Sequence, residues 1–328
     1  MKVTRRTQLS AIAGPLLAAV LLSFGQPAMA DWPDKPIRLV VPYPAGGAAD
    51  NTARILAQEL GERLKQQIIV DNKPGASGTI GAAFVAKAPA DGYTLLLDAT
   101  SYTVNPSLYN KLSYNPEKEL VPVSQIMQVP LLMVVPANSR FTSVADVVKA
   151  AAAQPGKLSY ASAGNGGAQH LAAELFAQGQ KLQMTHVPYK GGAPALTDLI
   201  GGQLDLMFSA TTASGTFVKG GKLKALAISS GKRQGAWPQV PTVAESGATG
   251  FEVYEWNGLF APAGTPRAVL ARLESETQAV VASPTVAKRF DEMGVQGVGS
   301  SAKDFTAFVK AETAKWAEVI KTSKIRTD

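Results

Sequence analysis

The sequence predicts an α/β fold in two lobes, and three observations lead there. Strand and helix signals alternate along most of the chain. The order strand, glycine loop, helix, strand, glycine loop, helix, strand occurs twice. A chain of 328 residues also suits about two domains. A single doubly wound sheet gives much the same string of elements; the length favours two lobes.

Residues 1–30 stand apart as an export leader. Lys2, Arg5 and Arg6 make a positive start, an apolar stretch runs from Leu9 to Phe24, and Ala28-Met29-Ala30 offers a small-x-small cleavage site. The mature chain is expected to begin at Asp31 and to reside in the periplasm. The apolar stretch is short for a membrane span, and no second one follows it. Arg5-Arg6 suggests twin-arginine export and Thr7-Gln8-Leu9 departs from that pattern, so both export routes stay open.

Lys and Arg number 32 against 25 Asp and Glu, a formal +7. The leader carries three of the positives and no acid, which leaves +4 on the rest. That excess suits solubility and attraction of anions. No Lys/Arg run exists of the kind a nucleic-acid or membrane surface needs, so neither partner is expected. The absence of cysteine excludes disulfides, thiolate nucleophiles and Cys-ligated metals.

In order, residues 37–41 read as a buried strand, 42–49 as a turn, and Asp50 or Asn51 as the cap of a helix to about Leu64. A strand at 68–71, a glycine loop at 74–78, a helix at 79–88 and a strand at 94–97 follow, the last entered through the Asp91-Gly92 turn. The second copy has strand 158–161, loop 162–167, helix 169–178, strand 184–188, Lys190-Gly191-Gly192, helix 193–200 and strand 204–208. Extended stretches at 129–136 and 251–262 are the candidate crossovers. They divide the chain into lobe 1 (31–128 plus 256–328) and lobe 2 (129–255). Helices are expected at 266–282, 284–293 and 302–320, the last with an apolar stripe of Phe305, Phe308, Val309, Trp316 and Ile320.

Catalysis finds little support. A serine nucleophile needs a base beside it, and the only histidines are His170 and His186. No G-x-S-x-G occurs, and Ser229-Ser230-Gly231-Lys232 matches S-x-x-K without its companion motifs. Two histidines sixteen apart do not make a hydrolytic metal site. Paired carboxylates meeting in space stay open, as does an ester hydrolase using Ser162. No enzyme, cofactor or metal is expected.

Anion capture fits better. Tyr43-Pro44-Ala45-Gly46-Gly47-Ala48-Ala49-Asp50 lies between a strand and a helix start, where small residues bring backbone N–H groups and the helix N-terminus to a ligand. Ser162-Ala163-Gly164-Asn165-Gly166-Gly167 repeats the arrangement. Two such loops facing across a cleft can hold a carboxylate, aided by the Ser162 hydroxyl and Asn165 amide. Gly164-x-Gly166 is no dinucleotide fingerprint, because Gln169 occupies the third glycine position.

The segments 36–47, 71–81, 90–96, 160–166, 186–191 and 258–266 resemble, in order and across the whole mature chain, the periplasmic solute receptors of tripartite tricarboxylate transporters, the Bug family. The resemblance implies a type II periplasmic-binding-protein fold with a ligand cleft between two lobes. It implies two membrane subunits as partners, although many such receptors are orphans, and the chain itself is expected to be a monomer. It places a carboxylate at the loops 43–50 and 162–166, with further contacts at Ser77, Ser101 and the end of strand 204–208.

There the sequence departs: Ser209 stands where many members carry aspartate, which weakens an amino-acid ligand. A di- or tricarboxylate is expected, or an aromatic carboxylate stacked on Tyr43, Tyr102 or Tyr189. For each tyrosine, packing with a satisfied hydroxyl is the simpler reading. His170 is read equally as structural or as a ligand contact, and Trp256 as core or hinge packing. A ligand-presenting sensor for a membrane kinase and an amino-acid or nicotinate-type binder remain alternatives.

Overall fold

A computed structural model describes residues 32–326; the expected leader and its cleavage site lie outside them. The chain opens with β1 (Ile37–Val41), α1 (Ala48–Leu64), β2 (Ile68–Asn72), a 3-10 turn (Ala76–Gly78), α2 (Thr79–Ala86), β3 (Thr94–Ala99), α3 (Ser101–Leu108) and α4 (Pro116–Glu119). The 17-residue β4 (Leu120–Pro136) leads to α5 (Val144–Ala153), β5 (Ser159–Ser162), α6 (Ala168–Gly179), β6 (Thr185–Pro188), α7 (Gly192–Ile200), β7 (Leu206–Ala210), α8 (Thr211–Lys219) and β8 (Leu223–Ile228). Last come β9 (Tyr254–Pro262), α9 (Arg267–Val281), α10 (Pro284–Met293), β10 (Gln296–Gly297) and α11 (Ala302–Ser323).

Strand order is β2-β1-β3-β9-β4-β7-β5-β6, with β10 and β8 also on β4. β4 joins the two lobes. Its residues 120–130 run antiparallel to β9, while 131–136 run antiparallel to β7 and β8. In the first lobe β1 pairs in parallel with β2 and β3; in the second β5 pairs in parallel with β6 and β7. Parallel strands covered by helices on both faces read as apolar runs, which is why Ile37, Leu39, Val40 and Val41 are all buried.

Local chemistry sets the helix ends. On α1, Leu56, Leu60 and Leu64 repeat at four-residue spacing and are buried. Ser143 and Asp146 form a capping box on α5. Ser283 caps α10 with Pro284 in its first turn, and Gly294 ends it in the left-handed conformation. The stripe expected on α11 is real: Phe305, Trp316 and Ile320 are buried, while Phe308 and Val309 pack at the edge. α11 touches α3 and β4 and also α6 of the other lobe. Trp256 is core, packed edge-on against Phe305 and Phe308.

Three expectations need correction. α1 starts at Ala48 with Gly47 as its cap, so neither Asp50 nor Asn51 caps it. β7 runs to Ala210, so Ser209 lies inside the strand opposite Leu132 rather than beyond its end. The extended stretch expected at 129–136 is only the second half of β4. Among the described residues no helix is long and apolar enough to cross a membrane.

Candidate anion cleft

In the first lobe the loop after β1 is exposed at 44–48, and α1 begins on Gly47 without a side-chain cap. The N–H groups of a helix's first turn have no intrahelical partner, so this end is open to an anion. Asp50 does not face a ligand. Its buried carboxylate accepts from Gly46 N at 2.8 Å, Arg54 Nε at 2.9 Å and Asn72 Nδ2 at 3.0 Å. Asn72 Nδ2 also donates to the Tyr43 carbonyl at 3.1 Å. Burial pushes Asp50 up, but the Arg54, Gly46 and Asn72 donors prevail and hold it below the ordinary carboxylate range. Its role is to brace the loop, with Gly46 in the left-handed region at φ +82°.

The second lobe repeats the device with other chemistry. α6 starts on Gly167, again without a side-chain cap. Gly166, at φ +70°, donates its N–H to His170 Nδ1 at 3.1 Å, four residues on, as Gly46 does to Asp50. His170 is buried, and burial lowers its pKa to about 4. Its ring stacks on His186 at 3.7 Å between centroids, and Tyr160 stacks on the other histidine at 4.9 Å. Burial and then the His170 charge lower His186 to about 4 as well.

Ser162 meets His186 Nε2 at 2.7 Å, the spacing of a nucleophile and its base. The pair is structural. Ser162 is fully buried, its hydroxyl donates to Gly164 O at 3.1 Å and accepts from Gly164 N at 3.2 Å, and a histidine held near 4 is a weak base. Ser162 therefore shapes the loop instead of offering its hydroxyl to a solute. Among the described residues no cluster of three or more His, Asp or Glu could hold a metal ion.

Between the loops lies α3. Ser101 begins it, half-buried, in hydrogen-bond contact with the Tyr43 hydroxyl. Leu108 ends it, so close to the second loop that a Cβ on Gly166 would stand 2.6 Å from Leu108 Cδ2. Eight helical residues span about 12 Å, with one loop at each end of α3. Ala163 is half-buried on the second loop and Asn165 is exposed at its tip. Ser77 is exposed at φ +52°, with its carbonyl bound by Asn105 Nδ2 at 3.0 Å. The Tyr189 hydroxyl is committed to Asp198 at 2.6 Å, and Ser209 is buried in β7. Tyr102 is core: its hydroxyl donates to the Pro116 carbonyl and its ring stacks on Phe260 at 4.2 Å.

Asp98 escaped the sequence analysis. It closes β3, buried, with Oδ1 accepting from Tyr43 Oη at 2.6 Å and from Ala99 N at 2.7 Å, while Oδ2 has no partner. Burial pushes its carboxyl up to about 7 against those two donors. A signal existed: an acid straight after Leu95-Leu96-Leu97 in a buried strand is costly unless something holds it. Gln169 and Glu255 were missed as well. Gln169 Nε2, in the first turn of α6, donates to Glu255 Oε1 on β9, and burial pushes Glu255 up to about 7.

The model of the tripartite tricarboxylate transporter family receptor matches residues 52–325. Protein BugT of Bordetella pertussis is 34% identical over 318 residues, 96% of this chain and 97% of its own. Two solved structures superimpose closely. Rpa4515 of R. palustris with adipate is 36% identical, covers 90% of this chain and 100% of its own, and gives a TM-score of 0.79. MatC from Rhodopseudomonas palustris with bound malate is 30% identical, covers 88% and 99%, and gives 0.75. The family and its structural neighbours are periplasmic solute-binding receptors and not enzymes, in keeping with a Ser162 hydroxyl that is buried and bonded within its own loop. The chain belongs to the tripartite tricarboxylate transporter receptor family, among its Bug-type members.

Proposed function

We propose that this receptor captures a small organic di- or tricarboxylate in the periplasm and presents it to the two membrane subunits of a tripartite transporter. One observation carries the reading: two helices start without a side-chain cap on braced glycine loops, and α3 separates those loops. A carboxylate fits such a place because unpaired N–H groups and the positive helix ends favour negative charge. The adipate on Rpa4515 and the malate on MatC support this class of solute.

The lobes are residues 31–128 plus 256–328 and residues 129–255. The pairing of Val129 with Glu255 and of Pro130 with Tyr254, where β4 passes from one lobe to the other, supports these limits. The receptor acts as a monomer exported with a cleaved leader. Of the tyrosines weighed for stacking an aromatic acid, Tyr102 is buried with its ring already stacked on Phe260, which removes it as a platform for a solute.

A thermal-shift and calorimetric screen over adipate, malate, citrate, aromatic carboxylates and amino acids tests the reading. A solute at 100 times its Kd stabilises by about 2.7 kcal/mol, roughly 5 °C for a protein of this size. Silence from every carboxylate sinks the proposal, and a response to amino acids alone overturns the weight placed on Ser209.

A further inference from the structure

We propose that the Ser101 hydroxyl meets the solute only as a hydrogen-bond acceptor, so that the cleft selects a carboxylate that also carries a hydroxyl. The proposal rests on the carboxylate reading above and narrows it. Asp98 Oδ1 accepts the Ala99 amide at 2.7 Å and the Tyr43 hydroxyl at 2.6 Å. Tyrosine has one proton, and here it is spent on Asp98. The contact between Tyr43 Oη and Ser101 Oγ can then be made only with Ser101 donating. A serine hydroxyl also has one proton, so what Ser101 Oγ leaves for the cleft is lone pairs.

The direction of this chain does not depend on the charge of Asp98. Oδ1 already accepts two donors, whereas Oδ2 is buried and unpartnered, so a proton taken up by the carboxyl belongs on Oδ2. Ser101 borders the cleft by its position: it is half-buried, next to the first loop, at the start of the helix whose far end meets Gly166 of the second loop. A bare carboxylate oxygen placed against Ser101 Oγ meets lone pairs with lone pairs. A solute hydroxyl donates to Ser101 and leaves the carboxylates for the helix ends.

The test is calorimetry on the mature protein at pH 8 with three matched pairs: L-malate and succinate, citrate and tricarballylate, mandelate and phenylacetate. The hydroxy acid of the pair that fits the cleft is expected to bind about tenfold tighter than its partner, the worth of one good hydrogen bond. In Ser101→Ala the preference falls to near one. In Tyr43→Phe, Ser101 regains a free proton and the preference shrinks. If Tyr43→Phe does not fold, Ser101→Ala decides alone. Equal affinities in the wild type, or a preference that survives Ser101→Ala, overturn the selection and leave the receptor reading standing. Tighter binding of L-aspartate than L-malate overturns it too, because the donor sought is then an ammonium. If none of the six acids binds while another carboxylate such as adipate does, the selection falls and the carboxylate reading stands.

Discussion

Adding one methyl group at Gly166 separates the strain of a loop from the closeness of two lobes. Gly166 sits at φ +70°, and a Cβ there would come within 2.6 Å of Leu108 Cδ2 across the cleft. Two costs follow for Gly166→Ala. The left-handed backbone costs about 1–2 kcal/mol wherever the protein is folded. The clash costs about 1–3 kcal/mol more, but only while the second loop rests against α3. Gly156 isolates the first cost, since it sits at φ +76° with nothing within 4 Å of its Cβ position. Gly156→Ala should lower solute-free stability by about 1–2 kcal/mol with affinity unchanged. Gly166→Ala should lose a similar amount by urea titration and, in addition, bind its solute roughly 5- to 150-fold more weakly by calorimetry. Equal affinities in the two variants, or a Gly166→Ala loss confined to solute-free stability, would refute the idea that the Gly166–Leu108 contact belongs to the solute-holding arrangement.

Three more outcomes can be measured. A Cβ on Gly258 would lie 2.1 Å from Phe305 Cζ in the core under α11, so Gly258→Ala should cost about 3 kcal/mol, read as a lowered urea midpoint; an unmoved midpoint means β9 and α11 pack differently. His170, about 4 folded against 6.5 ordinarily, binds its proton more readily when unfolded. Its contribution is therefore complete above pH 6.5 and lost as pH falls towards 4, by up to about 3 kcal/mol; the slope of stability against pH over that window should flatten in His170→Asn. Asp98 works in the opposite sense: with its folded pKa raised to about 7, the native state keeps a proton that the unfolded chain sheds near 4. Its burial costs stability increasingly from pH 4 to 7, so the stability of Asp98→Asn relative to wild type should rise across that window by up to about 4 kcal/mol and then level off; a flat difference means the carboxyl is not buried as placed.

Apolar periodicity and glycine placement made much of this fold legible. β1 falls where its buried run predicts, and α6 and α7 lie within a residue of their expected ends. Elements held by tertiary contact were not legible. α3 reads Ser-Tyr-Thr-Val-Asn-Pro, a poor helix by propensity, and exists because Tyr102, Val104 and Leu108 are buried and α11 packs on it. α8 begins Thr-Thr-Ala-Ser-Gly, with Ser214 Oγ bonded back to the Ala210 carbonyl. Only residues 129–136 of β4 read as extended from sequence; its first half pairs with β9 through two register shifts. At the candidate site, Asp50 and Ser162, read from sequence as facing a solute, turn inward and brace their own loops. Residue type and position say that a side chain is polar, and only the folded backbone says whether it turns inward or outward.

That inward turn also makes the two loops chemically unequal. Each is held by a left-handed glycine donating to a side chain four residues on, an anion in the first lobe and a neutral ring in the second. Asp50 is kept ionised by Arg54, Gly46 and Asn72, so acid reaches it late. Protonation of His170 on Nδ1 would set two donors against each other, the ring N–H and the Gly166 amide, and add a charge beside His186. Moderate acid therefore acts on the second loop while the first still stands. The receptor accordingly should lose its solute on acidification through failure of one half of the cleft, at the lobe where the brace can change from acceptor to donor.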